Sequence, residues 1–320
     1  MIWNNDDLET VDCDQCGSRE CHPVITRPDG LRAVACDHCG LCYLNPRPKA
    51  HAVSRLYEAD YFQKTGEAPG VRRIGYDNYL GDASRRGVER EARSRCAAVL
   101  KYTSLADKPG LEVGCATGEF CQVAEKHGAR MTGLDLSLHA IQEARQRFSK
   151  IQFIAGDIEA AKGSGPYDLI FAFELIEHVL SPRGFLQSAR ALLRNDGILV
   201  LTTPNYACGK RVGAARWFGF NTSFEHLYFL DPESLGALAE QSGLAVVDWL
   251  TDRTTGLVPA PSARPVQHAA RDCAKKVLDS VGLLDLARSA KDSIPFGPED
   301  YTAEGTGHNL LMILKVNGAR

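Results

Sequence analysis

The stretch Leu111–Phe120, "LEVGCATGEF", decides the fold. An apolar segment of strand character runs into a turn carrying Gly114 and Gly118, and a helical pattern follows from Gly118 to His127. A strand that enters a helix through a glycine turn presents backbone N–H groups where an anionic or nucleotide-like ligand can be received. A dinucleotide turn would read G-x-G-x-x-G, but here Ala116 stands in the second place and Glu119 in the third. A pyrophosphate laid against this backbone is therefore not expected.

Outward from the turn, strands and helices alternate. "RMTGLDL", "IQFIAGD", "YDLIFAFE" and "GILVLTTP" read as strands, with helices at His139–Phe148 and about Pro182–Leu193. Such alternation predicts a doubly wound α/β fold on a mostly parallel sheet. "LAVVDWL" and "HNLLMILKV" come late and complete seven strands; the pair is expected to give the sheet an antiparallel edge. The connection between them is too long for a hairpin, and its part from 254 to 306 includes a helical pattern. It is expected either to cover the site or to pair two subunits in a homodimer.

Two acids follow the turn at telling places. Asp135 ends the next strand, about 20 residues past Gly114, where a carboxylate accepts hydrogen bonds from ribose hydroxyls. Asp157 ends the third strand. These strand ends share the carboxyl edge of the sheet, where open α/β folds bind ligands. An adenosine without phosphates fits the set: Asp135 for the ribose, Asp157 for the adenine amino group, Glu112 and the loop amides for a charged amino-acid tail.

The ordered motifs resemble those of class I S-adenosylmethionine-dependent methyltransferases. "LEVGCATGEF" is similar to the family's first motif, "TGLDLS" to the acidic motif after it, "AGDIE" to the adenine motif, "YDLIFAFELIEHV" to the fourth strand and "LLRNDGILVLTTPN" to the strand that follows. The likeness spans about Pro109–Asn205 and departs at Ala116. It implies a Rossmann-like seven-stranded methyltransferase fold and S-adenosyl-L-methionine as cofactor. The residues implied to bind it are Glu112, Gly114, Cys115, Ala116, Gly118, Asp135, Leu136, Asp157, Ile158, Phe173 and Glu174.

After the fourth strand come Glu174, Glu177 and His178, where the methyl group would lie. A base is needed only for an acceptor that must lose a proton; His178 is the first candidate and His226, in "FEHLYFLDPESL", the second. Packing or capping by Glu177, and a hydrogen-bonded structural role for either histidine, are the competing readings. "ELIEH" also resembles a segment of ubiquinone-biosynthesis O-methyltransferases, where the acids and the histidine are associated with a divalent ion.

Residues 1–50 read as a separate unit. Cys13-x-x-Cys16 and Cys36-x-x-Cys39 are each followed by glycine, and a hairpin turn at Pro28-Asp29-Gly30 lies between the two pairs. That is a zinc-ribbon pattern, with four thiolates for one structural Zn2+ and no open coordination position. Cys42 extends the second pair into a C-x-x-C-x-x-C run, which keeps an iron–sulfur cluster and a redox use beside zinc.

A zinc ribbon can bind nucleic acid, but five basic and eight acidic side chains in residues 1–50 count against it. The whole chain, with net charge −3, has no general attraction to phosphate or anionic membrane either. No apolar run approaches the roughly 20 residues of a membrane span, and the polar start "MIWNNDDLETVD" suits neither a signal nor a transit peptide, so a cytoplasmic protein is expected.

The expected organisation is a zinc ribbon at 1–50, a helical linker or lid at 51–108 and a cofactor-binding core at 109–320, with substrate-cap insertions at about 205–230 and 254–306. The arrangement resembles bacterial zinc-ribbon methyltransferases, and sugar C-methyltransferases without their extra C-terminal domain. The resemblance implies O- or C-methylation of a small-molecule acceptor. Contacts to the acceptor are expected from Tyr206, Trp217, Phe218 and His226. The arginine-rich stretch Arg72–Arg95 reads first as a solvated helix face, and second as a clamp for a phosphorylated or carboxylated substrate, helped by Tyr76 and Tyr79. The rivals to small-molecule methylation are an RNA methyltransferase docking through the ribbon, disfavoured by "TPNY" and the acidic ribbon, and a non-catalytic cofactor-binding regulator or scaffold.

Overall fold

The computed structural model describes residues 3–56, 82–252, 301–302 and 307–318. Tyr76, Tyr79 and most of the 254–306 insertion lie outside the described residues.

Strands β1 (Leu8–Glu9), β2 (Cys21–Thr26), β3 (Arg32–Cys36), β4 (Cys42–Leu44) and β5 (Arg47–Pro48) precede the core. Core strands are β6 (Pro109–Val113), β7 (Arg130–Asp135), β8 (Gln152–Ala155), β9 (Tyr167–Phe173) and β10 (Leu193–Pro204). Then come β11 (Tyr228–Phe229), β12 (Leu244–Asp252), β13 (Tyr301–Thr302) and β14 (Asn309–Val316).

The central sheet runs β8-β7-β6-β9-β10-β14-β12, with the short β13 beyond β12. Five strands, β8 to β10 in that order, are parallel; β14 is antiparallel to both β10 and β12. The expected antiparallel edge is formed by β13, β12 and β14, each antiparallel to its neighbour, and within it β14 is interior, between β10 and β12. Its composition explains the insertion: "NLLMILKV" is buried on both faces, as only a central strand can be.

The helices start where their caps dictate. Ser137 accepts from the Ala140 N–H to open Leu138–Arg147, Ser181 from Gly184 to open Pro182–Leu192, and Asp231 from Ser234 to open Pro232–Gln241. Asp82–Val99, Glu119–Lys126 and Leu138–Arg147 supply Ala92, Cys96, Phe120, Val123 and Ile141 to a core on one face of the sheet, with Phe171 and Phe173. The other face packs Phe185, Leu186 and Leu238.

That second core also takes in Val34, Leu41 and Leu44 from the cysteine-bearing unit. The ribbon sheet has the order β11-β4-β3-β2, so its outer strand comes from residues 228–229, with Tyr228 opposite Tyr43 and Phe229 opposite Cys42. Asp14, on the first cysteine turn, accepts from Ser181 Oγ at 2.7 Å and from the Arg183 N–H at 2.8 Å, at the start of Pro182–Leu192. The ribbon therefore shares both a sheet and a hydrophobic core with the rest of the chain.

Candidate active site

The glycine turn closes as its residues require. Gly114, Ala116 and Gly118 have φ of 77°, 45° and 84°. Two of these left-handed positions carry glycine; at Ala116 the Cβ is strained by about 1 kcal/mol. The Gly114 and Cys115 N–H groups donate to Leu134 O, tying the turn to the end of β7. Asp135 completes the tie: one carboxylate oxygen accepts from the Ala116 N–H and the other from the Ser137 N–H, both at 2.8 Å. Burial raises its pKa, against those two amides. Each oxygen keeps a second lone pair for ligand hydroxyls.

Beside Asp135, Leu136 is 56% exposed, a large apolar side chain open to a ligand. Gly156 N–H donates to Asp135 O and brings the end of β8 alongside. Asp157 there is exposed and caps the short turn Ile158–Ala161 through the Glu159 N–H at 3.1 Å, with Ile158 half-buried. Beneath the turn, Glu112 is buried and accepts from Cys121 Sγ at 3.0 Å; desolvation pushes its pKa up to about 8. Cys115 is buried beside it.

One residue of this region carries no sequence signal. Arg95 lies 3.8 Å from Glu174 Oε1 and 3.6 Å from Glu91, with its guanidinium carbon 5.0 Å from the Phe173 ring centre. In sequence it ends an arginine-rich stretch that reads as a solvated helix face. Only its place on the buried side of Asp82–Val99, near Ala92, Cys96 and Val99, could have marked it.

Beyond β9, Glu174 takes φ of 50°, and its N–H donates to both Thr202 O and Thr202 Oγ1. The chain then turns so that Glu177 and His178 face His226. Glu177 Oε1 is 3.8 Å from His178 Nε2 and 4.0 Å from His226 Nε2, and the two rings meet edge to face. Glu177 is 1% exposed, and neither of its oxygens has a partner at full hydrogen-bond geometry; the Thr203 hydroxyl lies beside the carboxyl and lowers its pKa slightly against the burial. Burial raises the carboxyl's pKa well above its usual value, lowers His178 to about 4, and lowers His226 well below the usual range with help from His178 and Arg27. Both imidazoles are neutral at pH 7.

Glu177 does not cap the following helix; Ser181 does. The three atoms also lie close enough together to ligate one ion, and the set differs from the expected Glu174, Glu177 and His178. Glu174 faces Arg95 instead.

The expected acceptor contacts divide. Phe218 is 36% exposed and packs on His308. Trp217 is fully buried and Tyr206 nearly so, in an aromatic cluster with Phe220 and Phe229. Trp217 has no surface to offer an acceptor. Gly209 and Gly219 press their backbones onto its indole, where a Cβ would approach within 2.7 and 2.4 Å, and this close packing is what buries it.

In the ribbon, the Sγ atoms of Cys13, Cys16, Cys36 and Cys39 lie within 4.8 Å of one another, with Cys13–Cys39 and Cys16–Cys36 at 3.5 Å. A tetrahedron with Zn–S bonds of about 2.3 Å has edges of roughly 3.8 Å, so the four fit a zinc ion. Both turns close alike: Gly17 N–H donates to Cys13 O and Gly40 N–H to Cys36 O, with φ of 73° and 75°. Cys42 is not part of the group; it is buried against Tyr206.

A seven-stranded sheet in this order, with a glycine turn after β6 and an acid ending β7, defines an S-adenosylmethionine-dependent methyltransferase of the doubly wound class. Residues 85–248, just over half of the chain, match the methyltransferase domain family, and the chain belongs to that family. A Coxiella burnetii protein named ubiquinone biosynthesis O-methyltransferase is 33% identical over 167 residues, 47% of this chain and 70% of its own length. A Vibrio parahaemolyticus protein of the same name is 33% identical over 111 residues, 33% of this chain and 47% of its own. Among solved structures, the CcbJ methyltransferase of Streptomyces caelestis is similar at 16% identity and a TM-score of 0.48, over 71% of this chain and 90% of that one. None of the described helices is long and apolar enough to cross a membrane.

Proposed function

We propose that the chain methylates an oxygen or carbon of a small-molecule acceptor, with its proton-accepting groups at His178 and His226. The observation that carries this reading is the pair of neutral imidazoles set around the buried Glu177 carboxyl, just past the end of β9.

In this reading, Asp135 holds the ribose hydroxyls of the cofactor, Leu136 and Ile158 lie against the adenine, and Asp157 accepts from its amino group. Gly114, Cys115, Ala116 and Gly118 bring backbone N–H groups and open space to the tail. Glu112 and Glu174 face its ammonium, Arg95 its carboxylate, and Phe173 closes the apolar wall beneath. S-adenosylmethionine, when bound, supplies a methyl group already activated on a sulfonium. The chain's task is then to align the acceptor, keep water out and take one proton. His226 or His178 accepts that proton, with the Glu177 carboxyl beside both rings. The named O-methyltransferase relatives favour oxygen as the acceptor atom. The cysteine group would hold a structural zinc ion.

A second reading rests on the same three side chains. One carboxylate oxygen and two imidazole nitrogens suit a divalent cation that would bind acceptor oxygens directly.

The test is methyl transfer from labelled S-adenosylmethionine to a panel of catechols, phenols and sugars, for the parent and for His178→Asn and His226→Asn. Loss of transfer in at least one variant, with S-adenosylhomocysteine affinity kept, supports the base reading. Equal turnover in parent and both variants sinks it. Transfer that stops with chelator and returns with Mg2+ selects the cation reading.

A further inference from the structure

We infer that Arg27, on the ribbon hairpin, is a positioning residue that sets the place of His226. The inference rests on the proposed role of His226 and adds the part that holds it. Residues 222–227 lie between the short helix Phe218–Asn221 and β11 with one turn bond of their own, from the His226 N–H to Ser223 O at 3.4 Å, so their other carbonyls need partners from elsewhere. One guanidinium takes three of them. Arg27 Nη1 donates to His226 O at 2.9 Å and Ser223 O at 3.5 Å, and Nη2 donates to Phe224 O at 2.9 Å.

The guanidinium carbon also lies 5.6 Å from the centre of the Phe224 ring. Arg27 donates to Asp29 as well: Nε to Oδ1 at 3.2 Å and Nη2 to Oδ2 at 2.5 Å. Asp29 in turn is held by Trp3 Nε1 and the Leu31 N–H. Both side chains of the pair are fully buried.

A buried ion pair is a costly way to join two elements, since desolvation offsets most of the attraction and apolar packing would hold them as well. What apolar packing does not give is direction. A planar fork bonded to three carbonyls fixes the peptide planes that follow Ser223, Phe224 and His226, and with them the direction in which the His226 ring leaves the chain. The opposite side of the loop is fixed by the His178 segment: Leu227 and Tyr228 N–H groups both donate to Glu177 O, at 2.8 and 3.1 Å. His226 is thus suspended between Arg27 of the ribbon and Glu177 of the core. The ribbon is a wall of the reaction site.

The test compares full-length parent, Arg27→Lys, and the charge-free pair Arg27→Met with Asp29→Asn, which leaves no unpaired ion if Arg27→Lys folds poorly. Amide hydrogen exchange over residues 223–228 should quicken at least tenfold in both. The His226 ring signals in histidine-labelled spectra, assigned by their loss in His226→Asn, should move or broaden while those of the distant His127 and His139 stay. The shift should be smaller in Arg27→Lys than in the charge-free pair, because lysine still supplies one donor, and S-adenosylhomocysteine affinity should stay within about twofold. Unchanged loop exchange and unchanged His226 signals in both forms would overturn the inference. Failure of the base reading shows separately, as full transfer by His226→Asn.

Discussion

The imidazoles of His178 and His226 meet edge to face, with ring centroids 4.7 Å apart and planes at 81°. They come from segments on opposite sides of β10 in the chain, and the carboxyl they share, on Glu177, has no hydrogen bond at full geometry to either oxygen, with the Thr203 hydroxyl beside it. A carboxyl held this way costs stability and is kept for what it does. Replacing it by an apolar side chain of similar length, Glu177→Met, should raise unfolding stability by about 1–2 kcal/mol. The same change should lower methyl transfer at least tenfold. Denaturant titration and turnover measured on one preparation check both halves. A destabilised Glu177→Met would mean that the carboxyl has a partner in solution, and an unimpaired one that it takes no part in transfer.

Asp135 binds two loop amides before any ligand arrives, so its loss should act twice. Asp135→Ala removes the proposed ribose acceptor and frees the Ala116 and Ser137 N–H groups. Hydrogen bonds to a charged group are worth about 1.5–3 kcal/mol each. S-adenosylhomocysteine affinity should therefore fall at least a hundredfold, while the zinc content proposed for the cysteine group, read by elemental analysis, stays at the parent's value. Binding within a fewfold of the parent would remove Asp135 from the site.

The core was legible because its signals are local. A strand, a glycine turn and an acid at the next strand end all fall between Leu111 and Asp135, and their order fixes the sheet. The cysteine spacing was legible for the same reason. What stayed hidden depends on long-range partners. Nothing in "YF" at Tyr228–Phe229 says that it joins the ribbon sheet, and nothing in Arg27 says that its fork reaches the carbonyls of Ser223, Phe224 and His226 at the far end of the core. Trp217 looked like an acceptor contact because aromatic residues in a polar loop often are; glycines at 209 and 219 let the backbone close over it.

The turn itself supplies a contrast between two neighbouring residues. A Cβ at Gly118 would sit 2.7 Å from the Phe153 ring at a φ of 84°, whereas Ala116 already carries its Cβ at φ 45°. Gly118→Ala should cost roughly 2 kcal/mol or more, from left-handed strain plus the displaced ring. Ala116→Gly relieves strain but enlarges unfolded-state freedom, so it should change stability by less than about 1 kcal/mol. Thermal unfolding of the two variants beside the parent checks the ranking, and a Gly118→Ala variant as stable as Ala116→Gly would contradict the turn geometry.

Glu112 offers a test that needs no ligand. Burial raises its pKa from the usual 4.5 to about 8, with the Cys121 thiol donating to it and Arg95 pulling weakly the other way. The folded chain therefore keeps a proton that the unfolded chain releases once pH passes about 4.5. The stability linked to that proton is fully present below this pH and is lost as pH rises through about 8. Between pH 5 and 8 the loss amounts to roughly 3 kcal/mol, at about 1.36 kcal/mol per unit. Glu112→Gln keeps an oxygen to accept from Cys121 and carries no titration. Parent and variant should match near pH 5, and the variant should be the more stable by pH 8, because every other titrating group is common to both and cancels in the difference. Urea unfolding at several pH values across that range gives the comparison. A difference that does not change with pH would mean that Glu112 is already ionised in the folded chain, and would point to a cation, Arg95 first, closer to it than the structure has it.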